Sequence, residues 1–290
     1  MPDVIFPTAK IHPGLHEDDH PLLEELTRRG VSFSCGIWDD PAVAWGSAKV
    51  SVIRSTWDYH RRRGEYVAWA KRAAAQTSFW NPAPIIEWNT DKRYLRDLEE
   101  MGVPIVPTAW LSKGSEVTLG EIVKQRGWGA VVVKPVVSAG AYGTIKAEPG
   151  EIFTKGQSHL DALLDVEDVM VQPYLRTVEG HGERSMLFLD GELSHSVRKQ
   201  PAFQPQTAEA DPVQYSDEEA RVAKHVVAQV AKKFPREGAS LLYARVDLVP
   251  DEKGTYRVME LELTEPTLFF REGGAPAVKR VADGIAKRLR

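Results

Sequence analysis

The chain has 290 residues, 42% of them hydrophobic and 27% charged, with 37 Lys and Arg against 41 Asp and Glu for a formal net charge of −4. This is the composition of an ordinary globular protein with room for more than one core, and its balance offers no bulk electrostatic ground for a nucleic-acid or anionic-membrane partner. A single cysteine, Cys35, excludes an intrachain disulfide and favours a reducing compartment.

The first residues, Met1 to Pro7, lack a charged stretch followed by an apolar core, and no apolar run approaches the ~18 residues of a membrane span. The cytoplasm is therefore the expected location. Residues 1–88 read as a small α/β unit with strands at Asp3–Phe6, Val31–Trp38 and Lys49–Ile53. Helices are predicted over Pro21–Arg29, with Leu22, Leu23 and Leu26 on one face and Gly30 as its stop, and over Gly64–Gln76. Cys35 falls in a strand and reads as an inert thiol. Strands alternating with helices imply a parallel sheet, whose strand ends gather ligand-contacting residues. Arg54-Ser55-Thr56-Trp57-Asp58-Tyr59 stands at such an end. Arg54 suits a substrate carboxylate and Asp58 an amine, with Ser55, Thr56 and Tyr59 beside them. The alternative is an internal Arg54–Asp58 pair among core aromatics.

Asn81 to Asn89 reads as a linker, followed by a helix over Thr90–Met101, an extended piece over Val103–Thr108 and a capped helix from Thr118 to Gly127. Ala130–Lys134 and Val169–Gln172 read as strands, with a flexible small-residue loop over Ser138–Thr144. Asp190-Gly191 signals a hairpin, Gln200–Gln214 an irregular loop, Ser216–Glu219 the capping box of a helix through Lys233, and a last helix starts near Ala275.

The densest chemistry lies in Ala244-Arg245-Val246-Asp247 and Met259-Glu260-Leu261-Glu262, two strand-like runs around a turn at Pro250–Gly254. A hairpin brings Asp247 opposite Glu260 and Glu262, whose spacing of two places both on one face. Carboxylates gathered in this way repel unless a cation lies among them, and an all-oxygen set suits Mg²⁺ with substrate phosphates completing its shell. A solvated edge hairpin is the bland alternative. Lys134 closes an apolar strand, a costly place for an ammonium without an anion. Gly140 and Gly143 follow in a loop whose backbone N–H groups can approach phosphate oxygens. The glycine spacings of P-loop and dinucleotide enzymes and the His spacing of zincins are absent.

Taken in order over roughly residues 90 to 268, these pieces resemble the ATP-grasp superfamily of carboxylate–amine ligases, D-alanine–D-alanine ligase and glutathione synthetase among them. The matching pieces are Asp91-Lys92, Lys134-Pro135, the small-residue loop, Gln172-Pro-Tyr-Leu175, Arg245-x-Asp247 and Glu260-x-Glu262. The Arg-Ser-Thr-Trp-Asp-Tyr motif and the small size look most like the cycloserine-forming O-ureidoserine ligases. The resemblance implies an α/β fold with α+β elements, the ATP-grasp fold. A Rossmann-like substrate domain (1–88) would precede a central lid subdomain (89–172) and a C-terminal catalytic subdomain (173–290), the last two clasping ATP. It implies that Lys92 and Lys134 contact ATP phosphates and that Ser138, Gly140 and Gly143 belong to the lid. Gln172 with the Tyr174 and Leu175 backbone would read adenine, and Glu179 or Glu183 ribose. Arg198, with Lys199 beside it, would stabilise the γ-phosphoryl and Arg245 an oxyanion, while Asp247, Glu260 and Glu262 would hold Mg²⁺, with Mn²⁺ as an alternative. The family usually has Asn where this chain has Glu262.

The activity so implied is activation of an amino-acid-like carboxylate as an acylphosphate, attack by a nucleophile and release of ADP and phosphate. Attack within one molecule gives a ring, and attack between two gives a peptide or amide. A small-molecule kinase, or a nucleotide-binding module without catalysis, would use the same cradle. The partner is a small molecule rather than a nucleic acid or membrane, and a symmetric homodimer is the commonest assembly.

Overall fold

The computed structural model describes residues 1–200, 210–238 and 241–290. Three sheets organise them. The first is parallel, in the order β2-β1-β3-β4, from β1 (Val4–Thr8), β2 (Phe33–Ile37), β3 (Val50–Val52) and β4 (Ser78–Trp80). Its inner strands are apolar on both faces, as a sheet covered on both sides requires. Val4, Phe6, Val50 and Val52 face α1 (His20–Arg28) and α9 (Phe270–Arg288), whereas Ile5 and Ile53 face Tyr66 and Trp69 of α2 (Arg63–Ala74). Leu22 and Leu26 seat α1, and Gly30, at φ +70°, ends it in the left-handed conformation that glycine tolerates. Cys35 is half-buried on β2, and burial pushes its thiol up to about 11.

The predicted linker at 81–89 is instead a helix, α3 (Ala83–Asn89). Its prolines stand in the first turn, where a missing N–H costs nothing. Ile85 and Ile86 are fully buried, each in a different hydrophobic cluster. The next helix is shorter than predicted, α4 (Tyr94–Glu100), so Asp91 and Lys92 lie in the turn that precedes it.

The second sheet is antiparallel, in the order β5-β8-β6-β7, from β5 (Ala109–Leu111), β6 (Val131–Pro135), β7 (Ile145–Ala147) and β8 (Val169–Pro173). Val131, Val133, Val169 and Val171 pack one face onto α5 (Leu119–Arg126) and α6 (Gln157–Leu164). The other face carries Lys134 and Gln172, with Val132 opposite Gln172 and Lys134 opposite Met170. The extended piece at 103–108 forms no regular strand. It makes a parallel bridge, Ile105 to Val258, with Val258 N–H donating to Pro104 O at 2.8 Å.

The third sheet, β11-β10-β9-β12-β13, is antiparallel. It contains the two predicted hairpins, β9 (Glu183–Leu189) with β10 (Glu192–Lys199) and β12 (Tyr243–Pro250) with β13 (Tyr256–Glu262). Of the predicted irregular loop, Ala210–Pro212 is strand β11, and 201–209 lie outside the described residues. Met186, Val246 and Leu261 pack one face on α8 (Asp217–Lys233) and on α4. Leu187, Leu189 and Tyr243, on the other face, join the cluster shared with α9 and the parallel sheet. A short helix, α7 (Thr177–His181), precedes β9.

Candidate active site

Strand alternation builds the site. The register pairs Lys199 with Glu183, Asp247 with both Ser185 and Glu260, and Arg245 with Glu262, so these side chains share one face of the third sheet. Carboxylate oxygens of Asp247, Glu260 and Glu262 lie within 4.8 Å of one another. Asp247 is fully buried, while the Glu260 and Glu262 side chains keep 29% and 24% exposure, so the group opens at one end.

β13 is the sheet edge, and side chains from α3 and α4 take the place of a further strand. Asn89 Nδ2 donates to Leu261 O at 2.8 Å, Leu263 N–H donates to Asn89 Oδ1 at 2.6 Å, and Leu261 N–H donates to the Tyr94 hydroxyl at 2.8 Å. Asn81 bridges Tyr243 O and Leu263 O at 2.9 and 2.7 Å. These bonds satisfy backbone groups that burial would otherwise leave unpaired and hold Glu260 and Glu262 in register.

Each carboxylate of the hairpin has a cation. Arg245 Nε and Nη2 donate to Asp247 Oδ1 and Oδ2 at 3.0 and 2.9 Å, and Nη2 also pairs with Glu262. Lys199 Nζ lies 3.1 Å from Asp247 and pairs with Glu183. Lys92 Nζ lies 2.6 Å from Glu260 and donates to Ser138 O at 2.9 Å, tying the small-residue loop to the acidic cluster. Burial opposes ionisation of Asp247, yet Arg245 and Lys199 hold its carboxyl well below the usual range. Burial likewise opposes ionisation of Glu260, but Lys92 and Lys134 keep it low. Burial pushes Glu262 up to about 7 against Arg245, with Glu260 and Asp247 adding repulsion. Glu183 is raised by burial against Lys199. The Lys134 ammonium makes no hydrogen bond or ion pair among the described residues, and burial holds it below the usual lysine range with Glu260 opposing.

The remaining sequence candidates fall around this centre. Gln172 is buried and donates to Thr108 Oγ1 at 3.0 Å. Tyr174 N–H donates to Ala130 O, and Leu175 is buried against Val178 and Val249. Glu179 is exposed, accepting from the Tyr174 hydroxyl at 3.0 Å, so of the two ribose candidates only Glu183 stands at the acidic cluster. Gly140 and Gly143 have φ of +57° and +64°, and a Cβ on Gly143 would lie 2.7 Å from Pro135 Cγ. Arg198 lies on the opposite face of β10 from Lys199 and reaches Gly180 O, because alternation sends neighbouring residues to opposite sides.

The 54–59 motif turns inward. Arg54, 3% exposed, pairs with Asp19 at 2.7 Å rather than with Asp58 and donates to Pro266 O at 2.8 Å. Ser55 hydrogen-bonds Asp19 and Thr56 the Tyr66 hydroxyl, Tyr59 stacks on Tyr66, and Asp58 accepts from Trp38 Nε1 at 2.9 Å. Trp57 Nε1 donates to Glu265 O at 2.9 Å. The motif therefore fixes the turn after β13, a coupling invisible in the local sequence. Glu265 itself was not assigned a role from the sequence. It is 7% exposed, and burial followed by Glu262 pushes it up to about 8.

The chain is 32% identical over 288 residues to the cycloserine biosynthesis protein DcsG of Streptomyces lavendulae, covering 94% of each chain. It belongs to the DcsG family of ATP-grasp ligases. Residues 4–81 match the family model for the N-terminal domain of D-cycloserine synthetase DcsG, a span running from β1 through β4. The crystal structure of D-cycloserine synthetase DcsG superposes with a TM-score of 0.91 at 28% identity, covering 99% of both chains. D-alanine–D-alanine ligase from Bacillus anthracis, complexed with ATP, shares the fold, with a TM-score of 0.69 at 13% identity over 100% of this chain and 97% of that one. DcsG membership makes this chain an ATP-grasp ligase and places it, as the family resemblance implied, among the relatives of cycloserine synthetase. No helix among the described residues is long and apolar enough to cross a membrane.

Proposed function

We propose that the enzyme activates the carboxylate of an amino-acid-like substrate as an acylphosphate and closes a ring by attack within the same molecule, in the manner of a cycloserine-forming cyclo-ligase. The observation that supports this most is the trio Asp247, Glu260 and Glu262, oxygens within 4.8 Å, flanked by Arg245, Lys199 and Lys92 in a DcsG-family chain. A hard oxygen donor set of this kind fits Mg²⁺. Asp247, Glu260 and Glu262 would hold it, and when bound it would neutralise charge on ATP phosphates.

The chain's own groups do the rest. Lys134, with no anion of its own, is placed for a phosphate. Lys92 and Lys199 trade carboxylate for phosphate oxygens as the nucleotide enters. Gln172 and the Tyr174–Leu175 backbone border the base, Glu183 stands by the ribose, and Arg245 faces the developing oxyanion. The Ser138–Thr144 loop closes over the phosphates and excludes water that would hydrolyse the activated acid. The domain division at about residues 88 and 172 belongs to the same reading.

Purified protein incubated with ATP, Mg²⁺ and O-ureidoserine tests this. The expected result is ADP and phosphate in strict dependence on the acid, with a cyclised product that carries no phosphate. A phosphorylated acid as final product would make the enzyme a kinase, and condensation with a second amino acid an intermolecular ligase.

A further inference from the structure

Glu265, three residues beyond Glu262 and within electrostatic reach of it, has no cation paired to it among the described residues. Glu183, Asp247, Glu260 and Glu262 each accept an ion pair from Lys199, Arg245 or Lys92. The Glu265 carboxylate makes no hydrogen bond and no ion pair among the described residues, although the residue is 7% exposed. An unpaired buried carboxylate destabilises a fold by several kcal/mol, and replacing it with a neutral side chain of like size usually relieves that cost. Its surroundings are nonetheless rigid. Trp57 Nε1 holds the Glu265 carbonyl, Arg54 Nη2 holds the next carbonyl at 2.8 Å, and the Tyr243 hydroxyl holds the Thr264 carbonyl at 2.9 Å. Two of these three clamps come from the 54–59 motif at the carboxyl end of β3.

We infer that Glu265 receives the ammonium group of an amino-acid substrate and so orients its carboxylate toward the transferring phosphoryl group. This rests on the ligase reading above and names the group by which that site selects its acid. An ammonium provides one positive charge and three N–H donors, which match a lone carboxylate held three residues beyond Glu262. It also gives Arg54 and Trp57 of the 54–59 motif a part in the site. They position the turn that carries Glu265 rather than touching substrate.

The test compares O-ureidoserine with its desamino analogue, 3-(ureidooxy)propanoate, in wild type, Glu265→Gln and Glu265→Asp. Readouts are KM and kcat for each acid and the Mg²⁺ concentration at half-maximal rate. Wild type is expected to favour the amino acid by at least tenfold in kcat/KM, and Glu265→Gln to erase that preference with the Mg²⁺ requirement unchanged and the melting temperature no lower than that of wild type. Glu265→Asp should retain part of it. A wild type that uses both acids within threefold overturns the inference without any variant. So does a Glu265→Gln enzyme that keeps the preference, or one whose Mg²⁺ requirement shifts tenfold, which would make Glu265 a metal ligand. If the wild type turns over neither acid, the ligase reading fails and this inference fails with it, an outcome distinct from the other three.

Discussion

Truncating Asn89 to alanine should loosen the active site from behind. Asn89 spends its amide on Leu261 O at 2.8 Å, Leu263 N–H at 2.6 Å and the Thr264 hydroxyl at 3.3 Å, all in the strand and turn that carry Glu260, Glu262 and Glu265. Asn89 is 7% exposed, so alanine leaves a buried carbonyl and a buried N–H without partners or admits water to them. Each orphaned group costs about 1–3 kcal/mol, or roughly 2–6 kcal/mol together. For a chain of this size that lowers the melting temperature by roughly 3–10 °C. Because β12 is the only strand paired with β13 along Glu260–Glu262, the loss should fall on the register of those residues as well as on global stability. Differential scanning calorimetry gives the first number, and the Mg²⁺ concentration needed for half-maximal ADP release gives the second, expected to rise several-fold. Asn89→Asp separates the two bonds, since it keeps an acceptor for Leu263 N–H and loses the donor to Leu261 O. A melting temperature within 1 °C of wild type and an unchanged Mg²⁺ requirement for Asn89→Ala would refute the account of the edge.

Arg54→Met removes a fully buried partner of Asp19 and should cost about 3–5 kcal/mol in urea unfolding. Added to Asp19→Asn it should cost less than the sum of the two single changes, whereas a guanidinium used for substrate alone would alter KM and leave unfolding untouched. Gly143→Ala places a Cβ at φ +64° and 2.7 Å from Pro135 Cγ, so it should destabilise by about 2 kcal/mol and raise the KM for ATP, while Gly140→Ala, where that Cβ meets nothing within 4 Å, should do so less. Burial raises the Cys35 thiol from 9.0 to about 11. The thiolate fraction at pH 8 should therefore be about 100-fold below that of an ordinary cysteine, and alkylation by iodoacetamide correspondingly slow until the protein is unfolded. The sign follows from the raised pKa: the folded state disfavours the thiolate, so this contribution to stability is lost only as pH rises past the unfolded value.

What could be read from the chain and what could not divide along sequence separation. The carboxylate hairpin is local. A two-residue period and a turn sufficed to place Asp247, Glu260 and Glu262 together, and the register Asp247–Glu260 and Arg245–Glu262 agrees. The sequence puts Lys92 on a helix over Thr90–Met101, whereas it lies in the turn before α4, and Asn81–Asn89 with its two prolines reads as a linker. Only burial of Ile85 and Ile86 in two separate clusters makes that stretch a helix. Arg54 shows the same limit: its partner Asp19 is 35 residues away and Pro266 is 212 away, so neither the substrate reading nor the local Arg54–Asp58 pair contains the contacts the structure shows. Arg198 and Lys199 are adjacent in sequence, and only the pairing of β10 with β9 shows that Lys199, not Arg198, faces Asp247.

On the proposed reading, the Asp247–Glu260–Glu262 face supports phosphoryl transfer from ATP to a substrate carboxylate. Positional isotope exchange reads this step directly. With [βγ-bridge-¹⁸O]ATP, Mg²⁺ and O-ureidoserine, the wild-type enzyme should scramble the bridge label into the β-nonbridging positions, only when the acid is present, and Asp247→Asn should abolish it. Scrambling without the acid, release of AMP and pyrophosphate, or an undiminished rate in Asp247→Asn would contradict the account.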